Sequence, residues 1–252
     1  MNIDLSNRVA VVTGGSGELG RVMVRTLAGC GADVVVNYLS SQAKAEAVAE
    51  EVRQMGRRAL VVKADVTDEA QVLAMRDAVT GAFGDADIIV NNAVIQYPWT
   101  TVLEQKLEDF ESQFRSCVLH NVLMAKAFVP GMIKKGKGRV IAINTECAMQ
   151  NVSPQGAYVS GKRGMDGVLR VLAKEIGTHQ ITVNQVAPGW MISDKYRSGD
   201  DPAIEYAKLV PLRHRGEDQD IANAVAFLAS DLASFITGCY LPVCGGNVMP
   251  AI

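Results

Sequence analysis

Short apolar runs alternate with segments of helical periodicity along the chain, and this alternation constrains the fold more than any other feature. Six apolar runs are typical of buried strands: Val9–Thr13, Asp33–Asn37, Ala59–Ala64, Ile88–Asn91, Arg139–Ile143 and Ile181–Val186. A seventh run, Gly238–Val243, could be a last strand. The segments between them predict helices: Leu19–Cys30, Gln42–Met55, Asp68–Phe83, Leu107–Ile133, Tyr158–Ile176 and Asp220–Ala229. We therefore expect an α/β fold, a Rossmann-like doubly wound parallel sheet of about seven strands with helices on both faces. Ligands should bind at the carboxyl ends of the strands, where the strand order reverses.

Length and charge exclude several classes of protein. A chain of 252 residues fits one large domain or two small ones, and no linker interrupts the alternation, so we expect a single domain over residues 1–252. The net charge of −2 gives no indication of nucleic acid or an anionic membrane as a partner. No signal peptide or membrane-spanning segment is expected. The five cysteines are scattered and no zinc spacing occurs, so we expect thiols in a reducing cytoplasm and no metal site.

A glycine-rich loop follows the first predicted strand. Gly15-x-Gly17-x-x-Gly20 lies between that strand and the first predicted helix. Glycines at such positions let the backbone approach a pyrophosphate, which then lies at the helix N-terminus. The sequence therefore predicts a nucleotide site, although a simple tight turn would give the same spacing.

A tyrosine and a lysine four residues apart, Tyr158 and Lys162, share one face of a predicted helix. The ammonium can lower the pKa of the phenol by charge attraction, and such a tyrosine can exchange a proton with a carbonyl or alcohol. Thr145, thirteen positions upstream of Tyr158, can hydrogen-bond the same substrate oxygen.

These motifs together resemble the short-chain dehydrogenase/reductase family, in its single-domain branch. The resemblance covers essentially the whole chain and is nearest to 3-oxoacyl-carrier-protein reductases. The matching positions are Thr13-Gly14 with Gly20, Asp65-Val-Thr-Asp68, Asn91-Asn-Ala93, Thr145, Tyr158-x-x-x-Lys162, Asn184 and Pro188-Gly189.

The resemblance implies a hydride transfer between a nicotinamide and a carbonyl or alcohol, on a small or carrier-bound substrate. It implies Tyr158 as acid/base, Lys162 as the residue that holds the nicotinamide ribose, and Thr145 in a position usually held by serine. The residues that it implies for the cofactor are Gly14, Ser16, Gly17, Glu18, Leu19, Gly20, Asn37, Tyr38, Ser40, Asp65, Val66, Asn91, Ala93, Tyr158, Lys162, Pro188, Gly189, Ile192 and Ser193. Family members pair two long helices across a two-fold axis, so a homotetramer, or a homodimer, is expected.

Some positions depart from the family pattern. Glu18 replaces a glycine, and a carboxylate there either repels a pyrophosphate or points away and complements the helix dipole. Cys117 stands where the family has a catalytic asparagine; Asn121, one turn later, either replaces it or has a packing role. Val94 replaces a glycine, and Cys244 an aspartate. These changes put efficiency in doubt more than reaction type.

The end of the second predicted strand favours NADP(H) over NAD(H). Val36–Ser41 carries no carboxylate to hold a ribose 2′-hydroxyl. The usual arginine is also absent, since Leu39 and Gly17 occupy the common basic positions. Ser40, Ser41 and Lys44 can contact a 2′-phosphate, although the serines can equally cap the next helix.

One long irregular segment, at about residues 190–212, is predicted to be a substrate lid, with a structural loop as the alternative. Trp190, Met191, Tyr196 and Tyr206 either line an apolar substrate site or pack within the lid. Two other functions are compatible with the sequence. One is a catalytically impaired nucleotide-binding scaffold or redox sensor, and the other is a sugar- or steroid-type dehydrogenase.

Overall fold

Strands and helices alternate in the computed structural model as the sequence predicts. The structure describes residues 2–192 and 204–250. The strands are β1 (Val9–Val12), β2 (Asp33–Tyr38), β3 (Ala59–Lys63), β4 (Ile88–Asn91), β5 (Gly138–Ile143), β6 (Ile181–Pro188) and β7 (Tyr240–Val243). The α-helices are α1 (Glu18–Gly29), α2 (Gln42–Gln54), α3 (Glu69–Phe83), α4 (Leu107–Gln113), α5 (His120–Lys135), α6 (Cys147–Gln150), α7 (Gly156–Ile176), α8 (Ile204–Leu209) and α9 (Asp218–Ala229).

The strands form one seven-stranded sheet in the order β3-β2-β1-β4-β5-β6-β7, and the paired strands are parallel. The order reverses at β1, where Val11 pairs with Val35 of β2 on one side and with Ile89 of β4 on the other. The doubly wound parallel sheet predicted from the sequence is therefore confirmed. The reversal places the crevice for a ligand between the ends of β1 and β4.

Alternate residues of the central strands enter two separate apolar layers. Ala10 and Val12 pack on the side of α1, α2 and α9, whereas Val9 and Val11 pack on the side of α3, α5 and α7. Because both faces of the sheet are covered, the strands are continuous apolar runs rather than alternating ones. The same burial holds their carboxyl ends rigidly, and this is where the predicted site residues lie.

The largest departure from the predicted elements is in the long helix expected at Leu107–Ile133. A π-helical turn, Phe114–Leu119, separates α4 from α5, and the helical run continues to Lys135. A π turn contains one residue more than an α turn, so it changes the direction of later side chains without changing the apolar composition. Other predicted boundaries shift by only one or two residues, and Asp68 caps α3 by accepting from Gln71 N at 3.0 Å.

The helical run Leu107–Lys135 is long and apolar enough to cross a membrane by length and composition alone. Its most apolar window is 61% buried inside the protein, as expected for a core helix. Part of the predicted lid, residues 193–203, lies outside the described residues.

Candidate active site

The loop after β1 is held against the loop after β4 by a buried threonine. Thr13 Oγ1 accepts hydrogen bonds from Asn92 N at 2.8 Å and Ala93 N at 3.1 Å, and Asn92 Nδ2 donates to Thr13 O at 3.0 Å. These bonds cross the point where the strand order reverses. They fix the width of the crevice between the two loops.

Glycine is required in this loop at two positions. Gly14 has a φ of +60°, and a Cβ on Gly20 would lie 2.1 Å from the Gly14 carbonyl oxygen. Gly20 lies in the first turn of α1, and the N-cap residue of this helix, Gly17, offers no side chain to cap that turn. The first-turn N–H groups and the helix dipole therefore face the crevice, which suits a phosphate group.

Glu18 is the first residue of α1 and has helical backbone geometry, so a side chain fits there without strain. Its side chain is exposed and lines the crevice. The position complements the helix dipole, and water screens the repulsion of a nearby anion. The structure therefore supports the complement to the helix dipole, and the repulsion of a pyrophosphate stays a prediction.

The crevice is a cleft of about 940 Å³ that runs along the carboxyl ends of the strands. The predicted residues that line it are Gly14, Ser16, Gly17, Glu18, Leu19, Gly20, Asn37, Tyr38, Ser40, Asp65, Val66, Ala93, Thr145, Tyr158, Lys162, Pro188 and Gly189. Its size and the close approach permitted by Gly14 and Gly20 fit a dinucleotide.

Two predicted cofactor residues do not line the cleft. Asn91 is buried at the end of β4, where its Nδ2 donates to Asn121 Oδ1 at 2.7 Å, and Asn92 lines the cleft instead. Ile192 forms a β-bridge with Glu217, which leaves Met191 to face the cleft. Ser193 lies outside the described residues.

The end of the cleft beside β2 and β3 contains two polar side chains with different local roles. The Asn37 side chain is fully engaged by the backbone, accepting from Gly14 N at 3.1 Å and donating to Val62 O and Ala64 O at 3.3 and 3.1 Å. One oxygen of Asp65, Oδ1, accepts from the amide and hydroxyl of Thr67, both at 2.8 Å. Asn37 therefore shapes the cleft rather than offering its amide to a ligand.

Tyr158, Lys162 and Thr145 meet at the other end of the cleft. Lys162 is buried, and its Nζ donates to the carbonyl of Ile143 at 2.5 Å and lies 5.7 Å from the centroid of the Tyr158 ring. Burial raises the pKa of Tyr158, nearby thiols raise it further, and a hydrogen bond with the Thr145 side chain opposes the rise. Burial also lowers the pKa of Lys162.

The prediction that Lys162 lowers the pKa of the Tyr158 phenol is therefore wrong for the protein by itself. The ammonium is directed to a backbone carbonyl rather than to the phenol oxygen, and desolvation of the ring dominates. The predicted proximity of the three side chains is nevertheless found.

Asn121 has a structural role. Its Nδ2 donates to Cys117 O at 2.6 Å across the π-helical turn, and its Oδ1 accepts from Asn91. Because these contacts use both ends of the amide, they support the packing role over replacement of the missing asparagine. The neighbouring His120, not identified from the sequence, is 1% exposed, and burial lowers its pKa to about 4.

A second cavity of about 600 Å³ adjoins the cleft and shares Ile95, Gln96, Thr145, Tyr158 and Gly189 with it. Trp190 and Tyr206 line it as expected for a substrate site; Tyr196 lies outside the described residues. Tyr97, Trp99 and Glu146 are among the lining residues that were not predicted from the sequence. Only a fold-level alignment of the loops after β4 and β5 would have brought them to the site.

Comparisons with known proteins agree with this arrangement. The family model described as "Enoyl-(Acyl carrier protein) reductase" matches residues 16–247. A 3-oxoacyl-[acyl-carrier-protein] reductase FabG of Staphylococcus epidermidis is 35% identical over 244 residues, 96% of this chain and 100% of the relative. The 7alpha-hydroxysteroid dehydrogenase of Escherichia coli K12 is 32% identical over 249 residues, 98% of this chain and 96% of the relative.

Solved structures are similarly close. A blue fluorescent protein from a metagenomic library, in complex with NADPH, has a TM-score of 0.90 and 34% identity, covering 98% of this chain and 100% of that one. A 7 alpha-hydroxysteroid dehydrogenase in complex with NADH and 7-oxo glycochenodeoxycholic acid has a TM-score of 0.89 and 32% identity, covering 99% and 97%.

Proposed function

Because the chain belongs to the short-chain dehydrogenase/reductase family, we propose that it reduces a carbonyl with NADP(H) and that Tyr158, Thr145 and Lys162 carry the reaction. It is a nicotinamide-dependent oxidoreductase that transfers hydride between the nicotinamide and a carbonyl or alcohol. A steroid-type substrate is compatible with the same chemistry.

One observation carries the assignment of roles: Tyr158 and Thr145 line both the cleft and the adjoining cavity. A group in the cleft and a substrate in the cavity would therefore meet at these two hydroxyls. Lys162 lines only the cleft, on the cofactor side of the tyrosine ring.

The cleft residues would hold a dinucleotide, with its pyrophosphate at the N-terminus of α1 and its adenine near Asp65 and Val66. Pro188 and Gly189, at the end of β6, would flank the nicotinamide, and Lys162 would contact its ribose. When bound, the nicotinamide supplies or accepts the hydride. We propose a further contact with Ser193.

Tyr158 would give its proton to the carbonyl oxygen, while the Thr145 hydroxyl hydrogen-bonds the same oxygen and orients it. The raised pKa of Tyr158 keeps the phenol protonated at neutral pH, which is the form that reduction of a carbonyl needs.

The preference for NADP(H) is supported by the end of β2. Tyr38, Leu39 and Ser40 line the cleft there, and no carboxylate from β2 stands in the way of a 2′-phosphate. Ser41 is the N-cap residue of α2 but makes no capping hydrogen bond with its side chain. The capping alternative is thereby weakened; Ser40 lines the cleft and is the serine proposed to contact the phosphate, whereas Ser41 does not line it.

We further propose a cytoplasmic homotetramer. An apolar groove of about 580 Å³ lies between α5 and α7, where Val129, Ile133 and Val171 line it. Val171 is 55% exposed and Ile133 37%. The five cysteines are free thiols, as is usual in a reducing compartment.

The test is a fluorescence titration with NADPH and NADH, followed by turnover of a carbonyl panel, on wild type and Tyr158→Phe. We expect tighter binding of NADPH, and a loss of turnover of about 10²- to 10⁴-fold in the variant with cofactor binding retained. Phe235→Ala is the control, since Phe235 is a fully exposed aromatic residue that lines neither cavity. Binding without turnover of any carbonyl would instead favour a nucleotide-binding scaffold.

A further inference from the structure

The cavity beside Tyr158 and Thr145 has a charge pattern that the reaction itself does not explain. Its described lining contains two carboxylates, Glu146 and Glu205, and no lysine or arginine. Glu146 directly follows Thr145 in the chain and is 3% exposed. A buried carboxylate so close to the reacting hydroxyls must affect which substrates bind.

Neutral donors hold Glu146 in place. Tyr206 Oη donates to its Oε1 at 2.6 Å, and Asn247 Nδ2 donates to its Oε2 at 3.0 Å. Burial raises the pKa of Glu146, and the hydrogen bonds from Tyr206 and Asn247 oppose this rise because they stabilise the charged carboxylate. In the described part of the chain, no cationic side chain forms an ion pair with Glu146, so its negative charge acts on whatever enters the cavity.

The walls of the cavity are aromatic. Trp99 stacks on Tyr158 with their ring centroids 6.4 Å apart, and Trp190 meets Tyr206 edge-on at 5.8 Å. Trp99 and Trp190 are half exposed, at 50% and 49%, so each has a ring surface left to cover. Flat apolar groups gain most from such surfaces.

Resting on the proposed function, we propose that the substrate is an uncharged ketone with an aromatic or alicyclic body, and that Glu146 excludes ketones carrying an anionic group beside the carbonyl. The ring of the substrate lies between Trp99 and Trp190, and its carbonyl oxygen reaches Tyr158 and Thr145. A carboxylate on the carbonyl carbon would enter the field of Glu146, and no lysine or arginine among the described lining residues neutralises it. Arg215, on the Trp190 ring at 5.4 Å, is directed to the backbone carbonyl of Trp190.

The exclusion of anionic ketones by Glu146, called here the charge rule, is tested with a matched pair of substrates. Methyl benzoylformate and benzoylformate share the same ketone and ring. With wild type and NADPH at pH 7.5, we expect kcat/KM to favour the ester by about thirtyfold, as for like charges near each other in a partly desolvated site. In Glu146→Gln the ratio should fall to about threefold or less. The amide keeps the size of the side chain and its oxygen can still accept from Tyr206, whereas the Asn247 amide must turn over so that its oxygen accepts from the new amide nitrogen.

Glu108→Gln is the control for charge. Glu108 is an exposed carboxylate that does not line the cavity, so its removal should change the ester-to-acid ratio by less than about twofold. Equal use of acid and ester by wild type would overturn the proposal. The proposal would also be overturned if Glu146→Gln folds, binds NADPH and keeps the ester-to-acid ratio of the wild type.

The role of the aromatic walls is tested with methyl pyruvate, in which a methyl group replaces the phenyl group. We expect wild type to prefer methyl benzoylformate by about tenfold, and Trp99→Ala to lose most of this preference. Phe235→Ala is the control, since Phe235 is a fully exposed aromatic residue that does not line the cavity. No preference for the phenyl ester in wild type would contradict the assigned substrate body.

Binding can be measured without turnover, because the only two tryptophans of the chain, Trp99 and Trp190, both line this cavity. Quenching of their fluorescence by methyl mandelate and by mandelate compares the neutral and anionic alcohols directly. Tighter binding of the ester without turnover would support the charge rule but contradict the proposed reaction. Turnover together with equal binding would support the reaction but overturn the charge rule.

Discussion

The Lys162 ammonium donates a hydrogen bond of 2.5 Å to the backbone carbonyl of Ile143, nineteen residues earlier in the chain. This bond links α7 to the end of β5, the strand that leads to Thr145. The helix that carries Tyr158 is thereby fixed relative to the threonine hydroxyl. Lys162 has a positioning role here, in addition to the ribose contact proposed for it.

The raised pKa of Tyr158 predicts opposite pH profiles for the two directions of the reaction. Reduction needs the protonated phenol, so its kcat/KM should stay flat from pH 6 to about pH 10, the ordinary tyrosine value. Oxidation needs the phenolate, so its rate should rise about tenfold per pH unit over the same range. Rates measured in both directions check this. A reduction rate that falls with a midpoint near pH 8 would mean that the bound cofactor lets Lys162 lower the phenol pKa.

Removing the charge of Glu18 should strengthen cofactor binding and weaken the fold. In Glu18→Gln we expect the Kd for NADPH to fall about threefold to tenfold, because a carboxylate no longer faces the pyrophosphate across partly screened space. The free energy of unfolding should fall by about 0.3–1 kcal/mol, because the N-terminus of α1 loses an acidic side chain.

Glu108→Gln is the matched control for Glu18, since Glu108 is an exposed acidic residue in the first turn of α4 and does not line the cleft. The free energy of unfolding of Glu108→Gln should fall by a similar amount, and its Kd for NADPH should not change. Unchanged NADPH binding in Glu18→Gln would show that the carboxylate points away from the pyrophosphate.

Two glycines of α1 should respond in opposite ways to alanine. A Cβ on Gly20 would lie 2.1 Å from Gly14 O, so Gly20→Ala must displace the loop. The free energy of unfolding should fall by about 3 kcal/mol, and NADPH binding should be lost. A Cβ on Gly29 meets nothing within 4 Å, so Gly29→Ala should be neutral or add about 0.4–1 kcal/mol. Denaturation curves and an NADPH titration give both quantities. A Gly20→Ala protein of wild-type stability would refute the close packing of this loop.

Loss of the buried amide at Asn121 should destabilise the protein. Asn121→Ala leaves the amide of Asn91 and the carbonyl of Cys117 without this partner, at a cost of about 1–3 kcal/mol of unfolding free energy. Asn223→Ala removes an exposed amide from α9 and should change stability by less than about 0.5 kcal/mol. If both variants unfold alike in urea, the bridge across the π-helical turn contributes nothing to stability.

Most of the fold was predictable because each strand is apolar along its length and a glycine or cap marks many of the helix ends. Buried runs such as Val9–Val12 and Ile88–Asn91 leave few other interpretations. The π turn Phe114–Leu119 was not predictable, because its single additional residue leaves the composition of the helix unchanged. The sequence also could not reveal that Asn91 turns inward, since the choice between Asn91 and Asn92 depends on the pleat of β4.

The reacting hydroxyls were predictable because Tyr158 and Lys162 have a fixed helical spacing. The direction of the Tyr158 pKa shift was not, because it depends on desolvation, which only the packed structure determines. Glu146 and Tyr206, 60 residues apart, form their hydrogen bond only once the end of β5 and α8 have been brought together. A local sequence pattern cannot predict such a contact.

The fully engaged side chain of Asn37 limits how the coenzyme preference of this enzyme can be redesigned. Adding an acidic residue at the end of β2 is the obvious route to NADH use, but an aspartate at position 37, within β2, would lose the amide donor that now joins this strand to the carbonyls of Val62 and Ala64. Leu39, which is 56% exposed, makes no such connection. Mutant libraries for altered coenzyme use should therefore vary position 39 and leave position 37 unchanged.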